Sequence, residues 1–326
     1  MNELGPLFHA HGGALERHEL LDLGWTDGAI RRALRDGDIV RIRFGTYAHG
    51  PTWQHSTPVE RHRVLTRAVL GKLGRHVYAS HYSAAALLGI EVWDVDLSEV
   101  QVGRLDGRTD RVDAGVRYHC GAIDSASLVE IGGVLVVPPV RAAVETALGA
   151  SLEAGAVAIT SAMRDLGVSA GQLEDMLKSV RTWAGAVTAH RAAGLADARM
   201  ESVGEVRSMC FFSTHAIPLP EPQHEIRDST GRLVGRSDFW WELFHHVGEF
   251  DGLVKYGRLN PYDTDVGRVL VDEKRREDAI RGLDHGVSRW TWSDLEPRRS
   301  ATTAARIKAD LGRSRRIWRR IIDLGA

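Results

Sequence analysis

The stretch Ala14–Gly50, ALERHELLDLGWTDGAIRRALRDGDIVRIRFGTYAHG, falls into short pieces, each closed by its own punctuation. Leu15, Leu20 and Leu21 recur at helical spacing, and Gly24 stops that run. Thr26 stands where an N-cap opens a second helix. In that helix Ile30, Ala33 and Leu34 fall on one side, and Arg31, Arg32 and Arg35 gather on the other. Gly37 and Asp38 break the helix, and IVRIRFGTYA then alternates apolar and basic residues around Gly45, as two strands joined by a tight turn do. One side of the second helix is built to pack, and the other offers three guanidinium groups.

Helix, turn, arginine-faced helix and basic hairpin is the order in which a winged helix-turn-helix meets DNA, with its second helix in the major groove. The pattern predicts Arg31, Arg32 and Arg35 at base edges or phosphates, and Arg41 and Arg43 of the wing on the backbone. The same shape also serves as a protein-docking module, and arginines on a surface helix are common. Double-stranded DNA is the favoured partner on the count of five arginines.

The whole chain has 326 residues, 43% hydrophobic and 26% charged, enough for two or three domains. Its net charge of −1 hides a division: residues 1–75 carry +3 and 301–326 carry +5, whereas 76–150 carry −5 and 201–300 carry −4. Basic ends suit phosphate, and an acidic middle does not unless a cation is bound. Cys120 and Cys210 lie far apart, which excludes a disulfide framework and a CxxC zinc site. No apolar run reaches the roughly 18–20 residues of a membrane span, and MNELGPLFHA is no secretory signal. A cytoplasmic protein without a membrane partner is expected.

In the middle, Ser80 and Ser83 with Ala84–Ala86 read as an N-cap followed by a small-residue helix. Nucleophilic chemistry at Ser80-His81 or Ser83 lacks the Gly-x-Ser-x-Gly elbow and a positioned acid, so the cap reading is preferred. Strands are expected around Val100–Val102, Val116–Tyr118 and Val134–Val137, with Pro138-Pro139 leading into a helix from Val140. Residues 151–196 are Ala-rich, with Leu and Met at helical spacing, and read as a helical connector.

The most chemically suggestive part is the last third. A helix holds Glu201, Glu205 and Arg207, Pro218–Pro222 breaks the chain, and HEIRDSTGRLVGRSDFWWE (224–242) reads as a hairpin turning at Ser229-Thr230-Gly231. In the strand HHVGEFDG (245–252) Glu249 and Asp251 are two apart and share a face, and Asp238 on the neighbouring strand can join them. Three converging carboxylates repel one another unless a cation binds, and an all-oxygen set suits Mg²⁺ or Mn²⁺. Such a metal site could activate water at a phosphodiester, with Lys255 turning back to complete it. Gly248 and Gly252 would let backbone approach a ligand. The plain alternative is an exposed acidic edge, with Phe239, Trp240, Trp241 and Phe250 filling the core. The tail RIKADLGRSRRIWRRIIDLGA (306–326) places Ile317, Trp318, Ile321 and Ile322 on one helical face among Arg313, Arg315, Arg316, Arg319 and Arg320. A basic amphipathic helix docking on the body or a partner is expected.

Two family resemblances follow these residues. GALERHELLDLGWTDGAIRRALRDGDIVRIRFGTYA, VYASHYSAAALLGIEVWD (77–94) and VLVVPPVRAAVETAL (134–148) together resemble AbiEi-type antitoxins of type IV toxin-antitoxin systems, over roughly residues 5–150. That resemblance implies autorepression of an operon and neutralisation of a cognate toxin. Residues 197–296 resemble the PD-(D/E)XK nuclease superfamily, in particular its Vsr-like branch. By that resemblance Glu201 or Glu205 would be the acidic residue of the first helix, Asp238 the central aspartate and Glu249 the second carboxylate. Asp251 stands where the superfamily has its lysine, a change shared by Vsr-like relatives with an E-x-D-G segment. EKRREDAIRGLDHGVSRWTWSDL (273–295) resembles the helix and strand that close such a core, with Arg275, Arg276 and Arg289 as phosphate or structural contacts.

The expected architecture is an α+β multidomain chain: a winged helix-turn-helix at 1–75, a small AbiEi-like α/β domain at 76–150, a helical connector at 151–196, a PD-(D/E)XK-like core at 197–300 and a basic amphipathic helix at 301–326. The expected function is a DNA-binding, AbiEi-like antitoxin or transcriptional regulator carrying a nuclease-like C-terminal domain. The alternative is a Mg²⁺-dependent DNA endonuclease targeted by the winged helix.

Overall fold

The computed structural model describes residues 4–121, 123–228, 230–252 and 285–325. It is a mixed α+β structure with three sheets, and the chain divides into two units, Met1–His190 and Arg191–Ala326. Among the described residues, no helix is long and apolar enough to cross a membrane.

The first unit opens with α1 (Leu4–Ala10), β1 (Ala14–Glu16), α2 (Arg17–Asp22), α3 (Asp27–Asp36) and the hairpin β2 (Ile39–Arg43) and β3 (Thr46–His49). The sheet order is β1-β3-β2, all antiparallel. Leu15 therefore does not belong to the first helix, as its spacing suggested; it pairs with Tyr47 in β1. Glu16 and Glu19 form a capping box that starts α2 one residue beyond the strand. Phe8, Leu15, Leu20, Ile30, Ala33, Ile39 and Tyr47 make a single buried cluster. Every element of this head contributes to it, which is how so short a segment secures its own core.

Then come α4 (Gly50–His55), α5 (Pro58–Leu73), β4 (Val77–Ala79), α6 (His81–Leu88), β5 (Val100–Arg104), β6 (Arg111–Asp113), β7 (Val116–His119), β8 (Val129–Ile131) and β9 (Val134–Val136). The strands form a six-stranded mixed sheet in the order β6-β7-β5-β4-β9-β8. Helices α7 (Pro139–Gly149) and α8 (Leu152–Leu166) pack against each other, and Ala143, Ala147, Ala154 and Ala158 on them are all buried. Short helices α9 (Ala170–Ser179) and α10 (Ala186–Ala193) follow.

The second unit contains α11 (Val203–Thr214), β10 (Glu221–Arg227), β11 (Leu233–Trp241), β12 (His246–Asp251), β13 (Gly286–Thr291), α12 (Trp292–Leu295) and α13 (Pro297–Gly325). The sheet order is β10-β11-β12-β13, with β12 and β13 parallel and the other pairs antiparallel. Phe212, Phe239, Trp241 and Trp290 interlock at ring-centroid distances of 5.2–6.5 Å on one face. Ile226, Trp240 and Val247 form a smaller cluster on the other. Trp318 of α13 stacks on His245 at 3.6 Å, so the tail helix does dock on the body. Its expected apolar face is incomplete, because Ile317 is 51% exposed and the side chains beyond Arg320 lie outside the described residues.

Candidate functional site

The arginines of the head owe their position to the helix they ride on. Thr26 caps α3, its hydroxyl accepting the Ala29 N–H at 3.1 Å, and Gly37 ends it in the left-handed conformation. With Ile30 and Ala33 buried, helix geometry turns Arg31, Arg32 and Arg35 outward, and all three are exposed. The hairpin brings Arg41, exposed, and Arg43, half-buried, opposite Tyr47 and Thr46. At its tip Phe44 is 90% exposed, beside Gly45 in the left-handed region. Arg17 is bound by Asp27 through two hydrogen bonds of 2.9 and 2.7 Å. By contrast, among the described residues Arg31, Arg32, Arg35, Arg41 and Arg43 form no ion pair or side-chain hydrogen bond, so this surface carries positive charge the fold does not neutralise.

The carboxylates of the second unit are placed differently. Trp240 pairs with Val247 and Phe239 with Gly248, so strand alternation puts Asp238, Glu249 and Asp251 on one face, as their spacing predicts. The fold then engages them internally. Asp238 accepts the Phe250 N–H at 2.8 Å. Glu249, 8% exposed, takes a hydrogen bond of 2.7 Å from Arg289, its in-register neighbour on β13. Glu205, 5% exposed, accepts the Glu201 N–H, the Ser202 hydroxyl and the Gln223 amide at 2.7–3.0 Å. Glu201 pairs with Arg236 at the surface, 2.6 Å away.

Among the described residues, no three His, Cys, Asp or Glu side chains are grouped to hold a metal ion. A guanidinium lies against Glu249, and backbone and amide donors serve Asp238 and Glu205. Lys255, Arg275 and Arg276 lie outside the described residues. Gly248 is not open to a ligand: a Cβ there would stand 2.6 Å from the Trp290 ring and 2.7 Å from that of Trp241. The glycine is required by aromatic packing.

Sequence reasoning missed a polar cluster in the first unit. Ser80 occupies the N-cap position of α6 but makes no capping hydrogen bond. The Glu145 carboxylate, from α7, accepts the His81 N–H at 3.1 Å instead and is held in turn by Arg141 at 2.7 Å. His81 adopts φ +50, a costly conformation for a non-glycine residue, and its ring stacks on His119 at 3.8 Å. Burial, with Arg141 nearby, holds His81 down to about 4; burial, with His81 nearby, does the same to His119. Both imidazoles are therefore neutral near pH 7. Ser80 Oγ and Glu145 approach the same nitrogen of His81, at 3.2 and 3.6 Å, whereas a nucleophilic triad needs them on opposite nitrogens. Ser83 is a buried tie, bonded to His62 Nε2 and to the Gln101 N–H, each at 2.8 Å. Neither serine is arranged as a nucleophile.

No family model matches the chain, and no curated protein matches it. Among solved structures it is similar to the RV2827C protein from Mycobacterium tuberculosis, at 15% identity and a TM-score of 0.38, over 69% of this chain and 87% of that one.

Proposed function

We propose that the head of the first unit is a winged helix-turn-helix that binds double-stranded DNA, and that the protein acts as a DNA-binding regulator. The observation that carries this reading is the group of five arginines on α3 and the β2–β3 hairpin, without ion-pair partners among the described residues. Helix α3 would enter the major groove, and Arg41 and Arg43, on the strand that leads into the exposed Phe44, would hold the backbone. The antitoxin resemblance adds a cognate toxin as a second partner. The nuclease reading of the second unit is not carried further, since Glu249 already has a cation in Arg289. A footprint on the DNA upstream of the protein's own gene tests the proposal. Protection of a short site by the wild type, lost in the Arg31→Ala, Arg32→Ala, Arg35→Ala triple variant, is the expected result. Equal protection by both proteins would exclude α3 as the reading element. Cutting of DNA with Mg²⁺ or Mn²⁺ that Asp238→Ala abolishes would restore the endonuclease.

A further inference from the structure

The head contains a half-open cleft of about 580 Å³, lined by α1, β3, α4 and α5. Its walls are mainly apolar: Pro6 and Phe8 from α1, Ala48 from β3, Trp53 from α4 and Val64 from α5. The turn at Gly12 and Gly13 closes one side. Both glycines have positive φ, and a Cβ on Gly13 would stand 2.7 Å from Val64, so the turn can approach α5 only without side chains. A space of this size with aromatic and aliphatic walls is what a small-molecule site looks like before it is filled.

Of the polar side chains in the lining, His9, His49, Thr52, Ser56 and Arg67, the last makes the chemistry specific. Arg67, on the same face of α5 as Val64, borders the cavity. Among the described residues its guanidinium forms no hydrogen bond and no ion pair, and its Nε, buried without a partner, lies beside the Gly132 turn that follows β8, where a Cβ would stand 3.1 Å from it. Glu16 and Glu19 line the adjoining pocket that Arg67 also borders, but neither forms an ion pair with it, and no carboxylate lines this cavity. His49, the polar group of β3, is already occupied by Thr52, whose hydroxyl lies 2.7 Å from Nδ1. An unpaired, partly buried cation is costly, and a charge-assisted bond from an anion offsets that cost. A bare inorganic anion would gain nothing from Phe8, Trp53 and Val64, and a neutral hydrocarbon would leave Arg67 as it is.

We propose that this cavity binds a small organic acid, its apolar body against Phe8, Trp53 and Val64 and its carboxylate paired with Arg67. The site lies outside the arginine surface, and the proposal holds whether or not the head binds DNA. It is tested on the full chain with a matched pair of probes, indole-3-acetate and the neutral indole-3-acetamide, by calorimetry and by the NMR signal of the Trp53 indole. The acid is expected to saturate one site, to shift the Trp53 signal and to bind at least tenfold more tightly than the amide. Arg67→Met, which keeps the apolar stem, is expected to bring the acid down to the level of the amide. 1-Anilinonaphthalene-8-sulfonate, a bulkier apolar anion, is expected to fluoresce with the wild type and to be displaced by the acid. Equal binding of acid and amide to the wild type would overturn the proposal, and that comparison needs no variant to fold. Absence of saturable binding by all three probes, or an acid preference that survives Arg67→Met, would overturn it equally.

Discussion

The arginines of the head and the carboxylates of the second unit are both groups of like charge on regular elements, yet the fold treats them in opposite ways. Arg31, Arg32, Arg35, Arg41 and Arg43 are set outward by the packing of α3 and the hairpin and lack internal partners among the described residues. Asp238, Glu249 and Glu205 are each engaged from within, by a backbone N–H, by Arg289, and by a hydroxyl with amide donors. Charge that the fold leaves uncompensated is available to a partner, while charge that it engages contributes to the fold. The first cluster should matter for binding and little for stability, and the second the reverse.

The largest effect is expected at the first cluster. Removing Arg31, Arg32 and Arg35 together should weaken duplex binding by about 100-fold or more in low salt, from the loss of three charged contacts. Urea unfolding of the same variant should change by no more than about 0.5 kcal/mol, as for other exposed positions. A variant that unfolds early would show that these side chains are structural.

At the second cluster, Glu205→Ala is expected to cost about 2–4 kcal/mol, because it removes a buried carboxylate and leaves several donors unsatisfied. Denaturant titration measures this directly. A near-neutral result would mean that the network around α11 holds nothing together.

Acid should separate the two units. His81 and His119 in the first and His246 in the second are all held down to about 4, chiefly by burial, while an unfolded histidine titrates near 6.5. Between those values the unfolded chain binds more protons, so stability falls as pH falls, by up to about 1.4 kcal/mol per pH unit for each histidine. The stacked His81 and His119 titrate as a pair, while His62 in the first unit and His245 in the second, both also lowered by burial, each add to their own unit. Hydrogen exchange at stepped urea concentrations, at pH 7 and pH 5, should show α6 and α7 losing protection more than β12 and β13. Equal loss would contradict the assignment of neutral, buried imidazoles to the first unit.

The smallest effect is expected at Phe44. With its ring 90% exposed, Phe44→Ala should leave unfolding unchanged within about 0.5 kcal/mol while lowering duplex affinity several-fold. Unchanged affinity would confine the contact to the arginines.

What could be read from the sequence was local. The Thr26 cap, the Gly37 stop and the two faces of α3 depend on residues within one or two turns of each other, and the structure places them as their spacing predicts. The alternation that puts Glu249 and Asp251 on one face is equally local, as is the loop after Asp228, which accepts the Thr230 and Arg232 N–H groups. What could not be read was distant pairing. Leu15 lies in a three-residue strand only because Tyr47 pairs with it across the sheet. Glu249 meets Arg289, 40 positions away, through the register of two parallel strands, which no local pattern fixes. The cap of α6 comes from Glu145, 64 positions beyond His81, although Ser80 stands at the expected place. Gly248 followed the rule that a strand glycine admits a close neighbour, but the neighbours are tryptophan rings.

The central claim is most directly tested by the salt dependence of duplex binding, followed by fluorescence anisotropy from 50 to 300 mM NaCl on the order of ten concentrations. Five arginine–phosphate contacts correspond to a slope of log K against log [salt] of about −4.5, and the triple variant of α3 should flatten it to about −2. A wild-type protein that binds no duplex at 50 mM NaCl, or a slope the triple variant leaves unchanged, would contradict it.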